Sequence, residues 1–312
     1  MPASFANVRA VSVSDQALLV QTGSDTGTNV YAYVFGSGTV IELPLDNAEA
    51  GGPDIAGDLA VWWEGKYDEA TGTYTEQHVF ASKLPDGPKV EIAGTDRTPG
   101  FPQVADGWVT WIQWSPYEEN PEEYWRGPIY GVRVDQAGRP IGPVQSLAPS
   151  ALAYVLGDST WTYSLSDHYL AWEQALAEGG FGQGSYVLNL ENMEPLWLGA
   201  DAWRPSVGAN VVVYWANKLQ ARDLMTGRNW TIDAAGDFPA AAPTYVAYLR
   251  PAESGGSTVY EVVTQGYKTK QEQVLAQQTN PPWLSPPLAV SARHVAVVTD
   301  DNRVRLFEWQ AK

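Results

Sequence analysis

Two stretches of the chain gather aromatic and carboxylate side chains closely enough to do chemistry together. One is EGKYDEATGTYTEQ (64–77), with Tyr67, Asp68 and Tyr74. The other is SPYEENPEEYWRGP (115–128), with Tyr117, Glu118, Glu119, Tyr124, Trp125 and Arg126. An aromatic face beside carboxylates suits a sugar, whose C–H face stacks on the ring while its hydroxyls donate to the acids; a cation or a basic peptide also fits. These nine residues are the candidate ligand-binding set. The plainer reading of the same residues is solvation by exposed Glu, with Trp125 covering a sheet edge.

Catalytic and metal chemistry find little support. The three histidines, His78, His168 and His294, are far apart at no metal-ligand spacing, and cysteine is absent. No HExxH, phosphate-binding loop or EF-hand loop is present, and Gly182-Gln183-Gly184-Ser185 lacks the last glycine of a nucleophile elbow. No cofactor, metal ligand or catalytic residue is therefore assigned. Paired carboxylates are abundant, so an acid/base hydrolase or lyase acting on polysaccharide stays open as an alternative. Asp15, Asp58, Asp106 and Asp167 recur at similar places, which suits side chains that bond their own turn. Asn229-Trp230-Thr231 matches a glycosylation sequon and is given no role.

The elements that must position these stretches come from internal repetition. PDIAGDLAVWW from Pro53, PQVADGWVTW from Pro102, YSLSDHYLAW from Tyr163, PSVGANVVVYW from Pro205 and PAAAPTYVAY from Pro239 share one plan, with weaker copies at Val11 and Leu288. Each reads as a short strand, a tight Gly/Asp/Asn turn and a second apolar strand. A third and fourth strand follow, such as HVFASKL with KVEIA, or KLQARDL with NWTID. Repeats starting near 11, 53, 102, 163, 205, 239 and 288 predict an all-β, single β-propeller domain over 1–312, of about seven four-stranded blades, with six as the alternative. The aromatic series Trp62, Trp111, Trp172, Tyr214 and Tyr248 is expected to pack between blades. The stretch 268–278 has good helix formers, but its place in the repeat calls for strand. The last copy lacks a fourth strand, which residues 4–11 are expected to supply.

Turns from first to second and from third to fourth strand are tight. The other connections are long (64–77, 115–127, 174–184, 251–256 and 148–161), so one face of the scaffold is expected to carry the binding loops.

The pattern of Pro, apolar strand, Gly-Asp turn and Val-x-Trp, as in PDIAGDLAVWW, resembles the repeats of TolB-type β-propellers over nearly the whole chain. That resemblance implies architecture more than activity, because its members include periplasmic and cell-surface binding domains, protease-associated propellers and some polysaccharide-degrading enzymes. With 36 Asp and Glu against 19 Lys and Arg, the chain carries −17 and repels phosphate backbones and anionic lipid. Nucleic-acid partners and membrane insertion are not expected, and the start of the chain lacks the parts of a signal peptide. The expected function is non-catalytic binding of a protein or glycan by a secreted, periplasmic or cell-surface, acidic scaffold. A structural subunit of a surface layer or filament, assembled with other surface proteins, is a further alternative.

Overall fold

The computed structural model describes residues 5, 7–24, 27–47, 49–68, 73–94, 99–113, 115–116, 124–156, 159–161, 163–175, 183–279 and 288–310. These form strands and turns, with no helix among them, and no helix long and apolar enough to cross a membrane. Seven antiparallel sheets follow one another along the sequence. They hold β1 (Val8–Val13) to β4 (Thr39–Glu42), with β2 (Ala17–Ser24) and β3 (Gly27–Val34) between; then β5 (Glu49–Ala56), β6 (Leu59–Asp68), β7 (Thr73–Lys83) and β8 (Val90–Ala93). The third comprises β9 (Pro99–Ala105), β10 (Trp108–Gln113), β11 (Ser115–Pro116), β12 (Tyr124–Arg133), β13 (Gln145–Leu156) and β14 (Ser159–Trp161). The fourth has β15 (Ser164–Leu165), β16 (Tyr169–Glu173), β17 (Ser185–Asn189) and β18 (Glu194–Gly199). The fifth has β19 (Trp203–Gly208), β20 (Val211–Trp215), β21 (Leu219–Asp223) and β22 (Asn229–Asp233). The sixth has β23 (Asp237–Ala241), β24 (Tyr245–Ser254), β25 (Ser257–Gly266) and β26 (Glu272–Gln278), and the seventh β27 (Ala289–Val290), β28 (His294–Val298) and β29 (Val304–Glu308). This is a seven-bladed β-propeller.

Contacts divide the chain into two compact units, 1–151 with 302–304, and 152–301 with 305–312. In the first unit, the side-chain period of a strand sends consecutive tryptophans of β6 to opposite neighbours. Trp62 packs with Leu19, Val30 and Ala32 of the first sheet. Trp63 packs with Val104, Val109 and Trp111 of the third. In the second unit the same arrangement joins Tyr169, Val187, Val207 and Tyr214, then Val213, Ala221, Val246 and Tyr248, then Ala247, Leu249, Val295 and Val297. All five aromatics of the predicted series are buried. Truncating one to Ala would cost about 3–5 kcal/mol by lost transfer energy and the cavity left behind.

Polar bonds repeat with the blades as well. The residue after the repeat's Pro, or its equivalent, accepts the N–H two places after the Pro in the next copy. Ser12 Oγ accepts from Ile55, Asp54 Oδ2 from Val104, Ser164 Oγ from Val207 and Ser206 Oγ from Ala241. The residue before that Pro has a left-handed φ in four copies: Gly52 at 52°, Phe101 at 49°, Arg204 at 49° and Phe238 at 51°. In all four the register of the first strand breaks at the same place, as a bulge requires. Gly52 pays little for this conformation, but Phe and Arg are strained by it.

Two expectations are corrected. The connection 64–77 is mostly ladder, since β6 and β7 stay paired out to Asp68 opposite Thr73. Likewise 251–256 is the end of the β24–β25 hairpin and 148–161 contains β13–β14, so these are hairpin arms where irregular loops were expected. Residues 8–11, expected to close the seventh blade, pair instead with β2 as the first strand of the first sheet. The seventh sheet has three strands among the described residues. The stretch 268–278 is strand from Glu272 onward, as the repeat required.

Candidate functional site

Cross-strand pairing brings several of the candidate residues together. Tyr67 of β6 lies directly opposite Tyr74 of β7, with Asp68 next along the ladder. In the third sheet Trp125 pairs with Pro116 and Arg126 with Ser115, so Tyr124, Trp125 and Arg126 sit on the outer part of the β11–β12 hairpin. Tyr117, Glu118 and Glu119 fall outside the described residues. An exposed ion pair, Lys66 to Glu76 at 2.5 Å, ties the two strands of the first arm.

At the root of that arm lies a residue that sequence reading had put at the edge of a loop. The Glu64 side chain has no exposed surface and accepts from Trp62 Nε1 at 2.7 Å and from the Asp46 and Asn47 N–H groups at 2.8 and 3.2 Å. Lys89 Nζ stands 2.5 Å from Glu64 Oε1 and 2.7 Å from Asp46 Oδ2, and 4.0 Å from the Phe80 ring centroid. A buried carboxylate this fully partnered anchors the arm and leaves no lone pair poised for proton transfer. Trp172 Nε1 bonds Gln174 Oε1 in the fourth sheet at 3.1 Å, so Trp-x-Glu/Gln was the sequence signal that could have revealed the anchor. Beside it, Gln77 is 1% exposed and neither of its amide atoms has a partner.

In the second unit, Arg250 gathers three carboxylates. Its Nη1 donates to Asp233 at 3.1 Å and Glu272 at 3.0 Å, and its Nη2 to Glu261 at 3.0 Å. Burial opposes ionisation of Asp233, but the Ala235 N–H and Arg250 outweigh it and hold the acid below its ordinary range. Tyr248 donates to Asp233, and burial with the charges of Asp233 and Glu272 pushes its phenol far up, so it remains a donor. The group is a clasp between the fifth and sixth sheets. Asp54, by contrast, has its carboxyl pushed up by burial, against the bonds from Ser12 and Val104.

Turn bonds of the kind expected of Asp15, Asp58, Asp106 and Asp167 are seen at Asp and Asn residues of the corners after third strands. Asp135 Oδ1 accepts from Ala137, Asp223 Oδ1 from Met225 and Thr226, and Asn189 Oδ1 from Glu191, all at turns after third strands. At a first-to-second turn the cap is Ser14, whose hydroxyl accepts from Gln16 and Ala17. His168 and His294 do lie at the start of their second strands, beside Glu191 and Ser291. No group of three or more His, Asp or Glu side chains poised to hold a metal occurs among the described residues.

The solved structures similar to this chain are propellers of varied function. One, from a structure of the mitotic checkpoint complex, aligns over 97% of this chain and 89% of its own with TM-score 0.60 and 13% identity. The β-propeller domain of the Trilobed protease from Pyrococcus furiosus, described as having an open velcro topology, aligns over 99% and 96% with TM-score 0.59 and 9% identity. TolB from Acinetobacter baumannii aligns over 92% and 78% with TM-score 0.46 and 10% identity, too low to single out TolB-type repeats. Likenesses at this level of identity show the fold alone. No family model matches the chain, and no curated protein matches it.

Proposed function

We propose that residues 1–312 form one non-catalytic binding propeller, with TolB-type repeats, of a secreted, periplasmic or cell-surface protein. It holds a protein or glycan on the hairpin arms of its second and third sheets. The observation that carries this reading is the length of those arms. The β6–β7 ladder continues past Glu64 opposite His78 to Asp68 opposite Thr73, whereas the β20–β21 hairpin of the fifth sheet ends at Trp215 opposite Leu219. Strands extended beyond the packed core are suited to carrying a binding surface, and this ladder sets Tyr67 and Tyr74 in register opposite each other. Support for binding over catalysis comes from the carboxylates: those with displaced titration, Asp54, Asp135, Asp223 and Asp233, are engaged by backbone or side-chain donors that hold the fold together.

A glycan array probed with the whole chain, with products analysed for each hit, tests the glycan form of the reading. Trp125→Ala and the double change Tyr67→Ala/Tyr74→Ala are expected to weaken a discrete hit by about tenfold or more with the thermal midpoint unchanged, as loss of aromatic stacking predicts. Binding untouched by both variants removes the arm assignment, and cleaved product from a hit replaces binding by hydrolase or lyase activity.

A further inference from the structure

The strained residues ahead of the repeat prolines assemble a second polar site, independent of the arms. Arg204 in β19 and Phe238 in β23 have φ of 49° and 51°. Together these turns place the Arg204 guanidinium over the Phe238 ring, 4.3 Å from its centroid, and its Nη1 against Asp237 Oδ2. The backbone on both sides is held by carboxylates: the Arg204 N–H donates to Glu173, whose side chain is fully buried, at 3.3 Å, and the Phe238 N–H to Asp237 Oδ1 at 2.7 Å. Asp237 and the Phe238 face thus occupy one end and one face of the guanidinium. Its side edge, Nε with Nη2, meets no acceptor among the described residues, and the side chain is 29% exposed.

A simple staple between two sheets would need neither strain nor a free edge. Two parallel donors on a planar, pinned fork are the geometry that receives a carboxylate with both oxygens. Keeping non-glycine residues left-handed is costly, and such strain persists where the surroundings over-determine it, often at ligand clamps. In a chain of 36 acids and 19 bases, an arginine whose guanidinium pairs with one carboxylate among the described residues, with its side edge open, is set apart from the general surface charge. We propose that Arg204, backed by Asp237 and Phe238, is a binding site for the carboxylate group of a ligand.

The test is a titration of the whole chain, labelled with ¹⁵N, at constant ionic strength. The Arg204 Nε–H resonance is assigned by its loss in Arg204→Lys. N-acetyl-L-glutamate supplies a peptide-type carboxylate and D-glucuronate a sugar-type one; N-acetyl-L-glutamine and D-glucose are their neutral counterparts. A saturable shift with either acid, absent with its neutral counterpart, is the expected result, and the tighter of the two names the source. Arg204→Lys should weaken that binding at least ~10-fold by losing the fork, and Phe238→Leu by ~2–5-fold by losing the ring beneath the cation. If Arg204→Lys fails to fold, Phe238→Leu and the wild-type titration still decide. No saturable shift, or equal shifts with the neutral counterparts, overturns the proposal. Failure of Trp125→Ala to alter binding at the arms leaves it standing.

Discussion

Glu64 and Asp54 are carboxylates set in different surroundings. Glu64 has a cation, an indole N–H and two backbone N–H groups on its oxygens. Trp62→Phe deletes one donor and leaves a cavity where the indole's second ring lay, so it should cost about 2–4 kcal/mol in urea unfolding, the bond lost to a buried acceptor adding to the cavity. A loss below about 0.5 kcal/mol would mean that Glu64 is not an anchor. Asp54 has only the Ser12 hydroxyl and the Ile55 and Val104 N–H groups against burial, and burial wins, so its folded pKa lies above the ordinary 3.8. The folded state then binds the proton more tightly than the unfolded chain. The stabilisation from the protonated form is fully present below 3.8 and is lost as pH rises through the folded value. The stability of the wild type minus that of Asp54→Asn should therefore fall as pH rises above 3.8, read from denaturant midpoints at a series of pH values. A difference that grows with pH would show the hydrogen bonds outweighing burial. Asp233 supplies the opposite sign: its lowered pKa contributes stability above 3.8 that is lost on acidification.

At the scale of strands and turns, the sharpest test lies in the β19–β20 hairpin. Its turn follows Gly208, and Ala209 takes a φ of 48° where the second sheet has Gly57 at 58°. Ala209→Gly should stabilise by about 0.5–1 kcal/mol, because glycine adopts that φ without strain. Gly208→Ala should destabilise severely, since a Cβ there would stand 2.5 Å from the Ala242 carbonyl oxygen of the next sheet. If the two variants melt alike, the turn geometry is wrong. The strands themselves were legible in the sequence because apolar runs, tight turns and repeat spacing all agree. Even in 268–278, with its good helix formers, Glu272–Gln278 became strand where β25 offered an edge to pair with. The arms were misread because Gly65, Gly72 and the acids break the apolar alternation that marks a strand, although pairing needs only backbone. The Arg204 site was not legible at all. Arg204 and Asp237 are 33 positions apart, and nothing in their types announces the left-handed backbone that joins them. Of the binding residues, types and rough placement could be read, but not that Tyr67 and Tyr74 would be partners across a ladder.

For the whole molecule, the seventh sheet is the weak point. The other sheets have at least four strands and this one has three among the described residues, so β29 contributes an edge. With no cysteine, no disulfide fastens it. What holds it is packing near the end of the chain: Trp309 stacks on Tyr245 at 4.6 Å between centroids, and its N–H donates to the Arg293 carbonyl. Just ahead of β29, the Val8 N–H reaches the Asn302 carbonyl at 3.2 Å. In a repeat architecture stability is close to a sum of local and neighbour terms, so the unit with fewest partners opens first. Trp309→Ala should therefore cost about 2–3 kcal/mol, less than a fully buried tryptophan, and the cost should be distributed unevenly. Native-state hydrogen exchange is expected to show β28 and β29 amides losing protection first and those of β24 next, because Tyr245 loses its stacking partner, while β6 and β10 keep theirs. Uniform loss of protection across all seven sheets would mean instead that the blades unfold as one cooperative body and that Trp309 holds no more of the seventh sheet than of any other.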